Sequence, residues 1–239
     1  MNLRDYLYTL AVLICGTVIS SAGLLINPYR FGGPPVTPVS PGTTDLVSWF
    51  DFAVNGNDQH STKHFTFEGA PAFTAGTPSY VTFSAASRGY NISGLGAAFN
   101  AAAGDCAFVI RWRGYTALAN NATALVGSRF SVTYSTVPGD MTGRLSGATK
   151  AADIPGALNT WYTSVYSWDE ATDTVSQSLN GSTFTTAVDN TPEYGSGTVY
   201  LPGYVNIEVD FAGFYNKQLT QANVAWLYNA DSTRTYTDL

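Results

Sequence analysis

Charge is what this sequence has least of. Only 12% of its 239 residues are Asp, Glu, Lys or Arg, with 11 basic residues against 17 acidic ones and a net charge of -6. A globular chain usually carries about 25%. No run of Lys or Arg occurs, which argues against nucleic acid as a partner, because phosphate neutralisation needs clustered cations. Cysteine is as scarce: Cys15 sits in an apolar segment and Cys106 at the start of a strand-like run, so no disulfide framework can be read. The two histidines, His60 and His64, stand four apart in a loop-like stretch, and a helical His-Glu-x-x-His zinc motif would need Glu where Ser61 stands. There is no Gly-x-Ser-x-Gly nucleophile elbow and no phosphate-cradling glycine loop.

Polarity comes instead from Thr, Ser, Asn and 23 Gly, and 14% of the chain is aromatic. That mixture suits strands and turns better than solvated helices. The length is enough for one all-β domain with a substantial core and no staples.

The first forty residues differ from the rest. Tyr6–Ile26 carries no charge in 21 residues. Three readings fit it: a secretory signal with Arg4 before Leu10–Ile19 and a small-residue site at Ser20, Ser21 and Ala22; a membrane anchor; or an uncleaved apolar helix (1–26) buried in an assembly. Residues 27–43 hold five Pro and three Gly, which excludes a helix and predicts an extended arm.

Beyond the arm, short β-favouring runs recur about every ten residues. Leu46–Phe52 leads into the turn cluster Asn55-Gly56-Asn57-Asp58. Ser79–Ser84, Ala107–Trp112 and Phe130–Thr136 follow, then Trp161–Trp168, a polar turn at Asp169–Asp173, and Thr174–Leu179. Asn180-Gly181 predicts a tight turn with positive φ at both residues. Val199–Tyr204 and Asn206–Tyr215 complete the set; strict alternation in the last puts Val209, Phe211 and Gly213 on one face and Asp210, Ala212 and Phe214 on the other. One helix is predicted after Thr220 as cap, with a Val224–Leu227–Tyr228 stripe and Asn229-Ala230-Asp231 as its end; residues 232–239 read as a polar tail. The expectation is an all-β antiparallel jelly-roll β-sandwich over 44–231.

These segments resemble the laminin-G-like branch of the concanavalin-A-like lectin/glucanase superfamily. Leu46–Phe52 with Gly56-Asn57-Asp58 is similar to the family's first strand and its Gly-Asn turn. Asn159–Tyr162 through Trp168-Asp169 resembles its central strand, and Gln177–Gly181 its strand ending in Asn-Gly. Asp210–Thr220 and the helix to Ala230 are similar to its last strand and docking helix. The resemblance implies glycan or protein binding through loops at one rim, in some members through calcium. An N-terminal piece with Asn27–Phe31, a Pro/Gly arm and one such domain also resembles the layout of bacteriophage virion proteins such as head fibres, decoration proteins and tail-associated adhesins.

Glucanases of this superfamily carry Glu-x-Asp-x-(x)-Glu, whose outer glutamates act as nucleophile and acid/base. Here Glu208-Val209-Asp210-Phe211 copies the first half, but Ala212, Gly213 and Phe214 follow without a carboxylate. The chain is therefore expected to be non-enzymatic: a structural or adhesion module on a virion surface, held to other virion proteins through residues 1–43 and forming a homo-oligomer, with a host-surface glycan as ligand. The alternative is a secreted or membrane-anchored extracellular carbohydrate-binding protein; a glycan-degrading enzyme is a third. Tyr115, Tyr194 and Tyr204 are the candidate sugar-stacking residues. No cofactor is required; calcium is the one candidate, on Asp51, Asn55, Asn57 and Asp58, against the alternative of an Asx-rich turn that satisfies its own backbone.

Overall fold

The computed structural model describes residues 36–84, 86–91, 94–100, 104–115, 122–126, 130–134, 140–145, 150–155, 157–188, 198–201 and 206–239. The predicted N-terminal helix (1–26) and residues 27–35 of the arm lie outside the described residues, as do Tyr194 and Tyr204.

Two antiparallel sheets carry the domain. The first contains β1 (Leu46–Phe50), β3 (Ala72–Thr74), β4 (Tyr80–Phe83), β6 (Cys106–Gly114), β11 (Tyr162–Asp169), β12 (Thr174–Leu179), β13 (Thr185–Val188) and β15 (Ile207–Tyr215). Its order is β13-β12-β11-β6-β15-β4-β3, with β1 also on β15. The second contains β2 (Thr66–Glu68), β5 (Arg88–Asn91), β7 (Ala122–Val126), β8 (Phe130–Tyr134), β9 (Asp140–Leu145), β10 (Lys150–Pro155) and β14 (Val199–Leu201), in the order β10-β9-β8-β7-β14-β5-β2. A short helix, α1 (Leu95–Asn100), precedes β6, and α2 (Gln221–Tyr228) follows β15. This is the expected jelly-roll sandwich with a C-terminal helix.

The central strands of the first sheet are buried on both faces over most of their length, which explains why they read as nearly unbroken apolar runs. In β6, Phe108, Ile110 and Trp112 enter the core between the sheets with Tyr166, Trp168, Val209 and Phe214. Ala107 and Val109 point outward into a second cluster with Trp49, Val165, Phe211 and Tyr215, closed by Leu219, Val224 and Leu227. Burying the two side chains from α2 contributes about 1.5–3 kcal/mol each. Thr220 caps this helix, its hydroxyl accepting from the Asn223 amide while the Asn223 side chain accepts from the Thr220 amide.

The predicted alternation along β15 holds only from Phe211 onward. Val209 pairs with Trp112 but Phe211 pairs with Arg111, so one residue, Asp210, is extra. This bulge corrects the predicted faces: Val209 lies with Ala212 and Phe214 in the inter-sheet core, while Phe211 and Tyr215 join the outer cluster. The bulge falls where β15 changes its neighbour on one edge, from β4 (Ile207–Val209) to β1 (Ala212–Tyr215).

Asn180 and Gly181 both take positive φ, 50° and 74°, and the Ser182 amide donates to the Leu179 carbonyl as a two-residue turn requires. Residues 232–239 are docked rather than loose. Arg234 donates to the Trp226 carbonyl and its guanidinium lies 3.9 Å from the Trp226 ring centre, and the Tyr236 amide donates to Asp51. The end of the arm is docked too: the Val39 amide donates to the Ala222 carbonyl, Asn223 Nδ2 to the Val39 carbonyl, and Ser40 Oγ to the Leu239 carbonyl. The compact unit accordingly begins at Val36.

Gly213 faces the ring of Trp49, and a Cβ there would meet Trp49 Cε3 at 2.5 Å and Val109 Cγ1 at 3.1 Å. The Trp49 ring is held by stacking on Phe211 at 5.1 Å and by its Nε1–H donating to Asp51, and its backbone amide donates to Asp58, so it yields little. Gly213→Ala is expected to destabilise the domain by about 1–3 kcal/mol; denaturant unfolding of the purified variant measures it.

Candidate functional site

Past the edge of α2, the outer face of the first sheet changes from apolar to charged. β6 turns Arg111 and Arg113 outward in place of the alanine and valine that precede them, and β15 supplies Glu208 and, through the bulge, Asp210. The register sets Glu208 directly across from Arg113, and the Arg113 Nε–H donates to Glu208. Arg111 donates to Asp210 at 2.5 Å, to the Asp231 carbonyl at 2.8 Å and to the Asp231 carboxylate at 3.3 Å. Thr233 Oγ1 donates to the other Asp210 oxygen at 2.8 Å. Bulge, tail and central strand thus meet on one guanidinium.

Trp161, immediately before β11, lies across both arginines, with their guanidinium carbons 4.6 and 4.8 Å from its ring centre. Arg111 is only 2% exposed whereas Trp161 is half-buried, so the indole roofs the cation and keeps an open side. Among the described residues Arg111 Nε has no hydrogen-bond partner, and the guanidinium that carries it lies under the indole face. Tyr80, half-buried on β4, approaches Trp161 at 5.7 Å with its ring tilted by 59° and has Arg113 at 5.5 Å. The result is a bent aromatic platform flanking a partly buried Arg–Glu pair.

Burial raises the pKa of Asp210 to about 6, against the opposing pull of Arg111 and Thr233. Burial likewise raises Asp51, although Trp49 and the Tyr236 amide donate to it, and the nearby Asp238 adds to the rise. Asp58 goes the other way. Its burial is outweighed by hydrogen bonds from Ser61, the His60 and Trp49 amides and Ser48, which lower its pKa.

Of the predicted sugar-stacking residues, Tyr115 borders this patch. Burial and the neighbouring Glu208 raise its pKa, but its hydroxyl donates to the Phe83 carbonyl at 2.8 Å and so serves the fold. Three of the four predicted calcium residues have hydrogen-bond partners on their side chains, and Asn57 takes part through its backbone amide and carbonyl. Asp51 accepts from Trp49 Nε1 and from the tail, Asn55 accepts from the Asn57 amide, and Asp58 accepts from the Trp49, His60 and Lys63 amides and from Ser61. His64 Nδ1 accepts from the Asp58 amide while His60 faces Tyr236, so the two histidines do not converge. Among the described residues, no three His, Cys, Asp or Glu side chains are grouped to hold a metal ion.

Sequence reasoning placed Trp161, Arg111 and Glu208 in strands without joining them. A signal was present: in a chain so poor in charge, Arg111-x-Arg113 and Glu208-x-Asp210 each interrupt an apolar strand at period 2. Two basic and two acidic side chains on one face of two such strands call for each other.

Asp58 and Asp210 are expected to give opposite pH dependences. Asp58, lowered in the fold, contributes stability that is present above about pH 3.8 and lost as pH falls through its folded value. Asp210, raised in the fold, contributes stability that is present below about 3.8 and lost as pH rises through about 6. Urea unfolding across pH 3–7 should therefore show Asp58→Asn losing the acid-side fall and Asp210→Asn losing the decline toward pH 6.

No family model matches the chain, and no curated protein matches it in sequence. Solved structures do match. The receptor-binding domain of a botulinum neurotoxin C/D mosaic serotype superimposes with a TM-score of 0.65 at 10% identity, covering 79% of this chain and 52% of that one. A Trypanosoma rangeli sialidase in complex with sialic acid gives 0.63 at 13% identity, over 92% of this chain and 39% of the other. Domain 4 of an extracellular arabinanase from Geobacillus stearothermophilus, in complex with arabinotriose, gives 0.59 at 15% identity, over 77% of this chain and 98% of that domain. The chain spans about half the length of the toxin binding domains it matches. At such low identity the likeness is one of architecture, and the architecture is the antiparallel jelly-roll β-sandwich.

Proposed function

We propose that this chain is a non-enzymatic module that binds glycans on the outer face of its first sheet. The observation that carries this reading is the half-exposed pair Trp161 and Tyr80 set beside Arg113 and Glu208. Aromatic faces take the apolar face of a sugar ring, and a donor–acceptor pair takes its hydroxyls, which is the combination of apolar wall and convergent polar groups expected of a small-molecule site. The structural likeness to a botulinum neurotoxin whose cell entry depends on two ganglioside molecules, to a sialidase in complex with sialic acid and to an arabinanase domain in complex with arabinotriose supports a glycan as the class of ligand.

The carboxylates of this face support a binding role over hydrolysis. Glu208 and Asp210 are each held by an arginine, and Phe211, Ala212 and Gly213 follow in place of a second glutamate. A two-carboxylate mechanism needs both groups open to the sugar.

The setting we favour is extracellular, as a secreted or membrane-anchored carbohydrate-binding protein. A virion-surface role is the second reading, carried by the layout of an apolar segment and Pro-rich arm before one β domain, with the end of that arm fixed along α2. In that reading residues 1–43 contact neighbouring virion proteins in a homo-oligomeric assembly.

Trp161→Ala and Tyr80→Ala are each expected to weaken glycan capture at least about tenfold, the effect of losing an aromatic anchor worth about 1.4 kcal/mol. Glycan-array binding, with circular dichroism to verify folding, measures this; full capture by both variants would overturn the site. Removing residues 1–35 is expected to leave a folded domain that still binds glycan but no longer associates with its membrane or particle. Sedimentation of the truncated chain with the native particle or membrane fraction would show the anchoring role to be wrong.

A further inference from the structure

The face around Trp161 holds a concentration of charge in a chain that has little, and the charges are matched among themselves. Arg113 is paired with Glu208, and Arg111 with Asp210 and Asp231. Three carboxylates thus face two guanidiniums, and Asp51 is close enough for its charge to act on Asp210 as well. The local surplus is negative.

This balance bears on which sugars the platform can hold. A sugar carboxylate placed over Trp161 would enter a negative field. To gain a cation it would have to take Arg113 away from Glu208, which is only 7% exposed and would be left as an uncompensated buried charge. Arg111 is no substitute, being buried beneath the indole with its N–H groups turned to Asp210 and Asp231. A neutral sugar meets no such obstacle. Its hydroxyls can accept from the outer N–H groups of Arg113 and donate to the second Glu208 oxygen, because the pair itself uses only the Arg113 Nε–H and one carboxylate oxygen. The pair survives binding, and the apolar face of the ring lies on Trp161 with Tyr80 at its edge.

Resting on the glycan-binding reading of this face, we propose that its ligands are neutral, hydroxyl-rich sugars and that sugars carrying a carboxylate are rejected. Selectivity comes from Glu208, which holds Arg113 neutralised. A second aromatic–arginine patch on the other sheet serves as a contrast: Arg88 lies 6.0 Å from the ring centres of Tyr90 and Tyr200, and its partner Glu68 is 47% exposed, so that pair can open at little cost.

The test uses the full chain and matched probes differing by one acidic sugar, lactose against sialyllactose and neutral against uronic-acid-containing oligosaccharides, at 0.05 and 0.5 M NaCl. The expected result is binding of neutral probes, little changed by salt, with acidic counterparts at least about tenfold weaker. Glu208→Gln, which leaves Arg113 uncompensated, is expected to narrow or reverse that ratio, with the acidic binding it gains being sensitive to salt. Tyr80→Ala, an alteration on the exposed side of β4, is the companion to Trp161→Ala and should lower binding of neutral probes without unfolding the domain. Tighter binding of acidic probes by the native chain would overturn the selectivity while leaving the glycan site in place. Loss of binding on Tyr200→Ala but not on Tyr80→Ala would overturn the face. Failure of every probe to bind would overturn the glycan-binding reading itself, and this inference with it.

Discussion

The buried pair between Arg111 and Asp210 is the constraint on which the outer face depends. Taking two charges out of water is costly, and the raised pKa of Asp210 shows that burial outweighs the arginine's attraction. The pair is therefore a poor source of stability. What it supplies is position. Asp210 is the extra residue of the β15 bulge, Asp231 ends the turn after α2, and Trp161 lies on the guanidinium. A hydrophobic isostere could fill the space under the indole, but it could not hold the bulge, the tail and the aromatic roof in one arrangement.

The backbone after α2 shows the strength of that constraint. Asn229, Ala230 and Asp231 all take left-handed φ, 46°, 50° and 70°. For residues with a Cβ this conformation costs roughly 1–2 kcal/mol each, with Asn and Asp least affected. The turn is held at its far end by Arg111, which takes both the carbonyl and the carboxylate of Asp231, and past it by Thr233 on Asp210. Beyond this point the tail reverses over α2 and brings Tyr236 and Leu239 onto the outer cluster. The same surface receives the end of the arm through Val39 and Ser40. Both entry and exit of the chain are thereby fixed to one helix, which leaves the Trp161 platform on the uncovered part of the sheet.

Much of this architecture was legible because its strands are aromatic and β-branched and its turns carry Asn-Gly or Asp-rich signals. The Asn180-Gly181 turn and the Thr220 cap follow directly from residue chemistry. The bulge did not, because a single extra residue leaves no mark in a strand whose two faces are both apolar. In β15, Val209, Phe211 and Phe214 all look like core residues, and only the pairing with β6 shows which core each enters. Helix α1 was also missed. Its six residues are too short for a periodic stripe, and the Asn91 side chain that accepts from the Leu95 amide at its start is itself positioned by distant carbonyls, those of Lys63 and His64, to which its Nδ2 donates. The candidates that the sequence offers are loop tyrosines, whereas the aromatic pair that meets the charges is Tyr80 within β4 and Trp161 at the entry to β11.

That location has a physical consequence for recognition. A stacking residue on a loop must be ordered when the ligand arrives, and the ordering opposes binding. Trp161 is already held, because moving it would uncover the buried Arg111 guanidinium and give up its contact with both arginines. The cation that fixes the ring is the one that Asp210 and Asp231 neutralise, so the platform is rigid without being positive. Rigidity and the lack of positive charge therefore share one origin in this fold: the carboxylates that fix the aromatic surface through Arg111 are those that leave its surroundings negative.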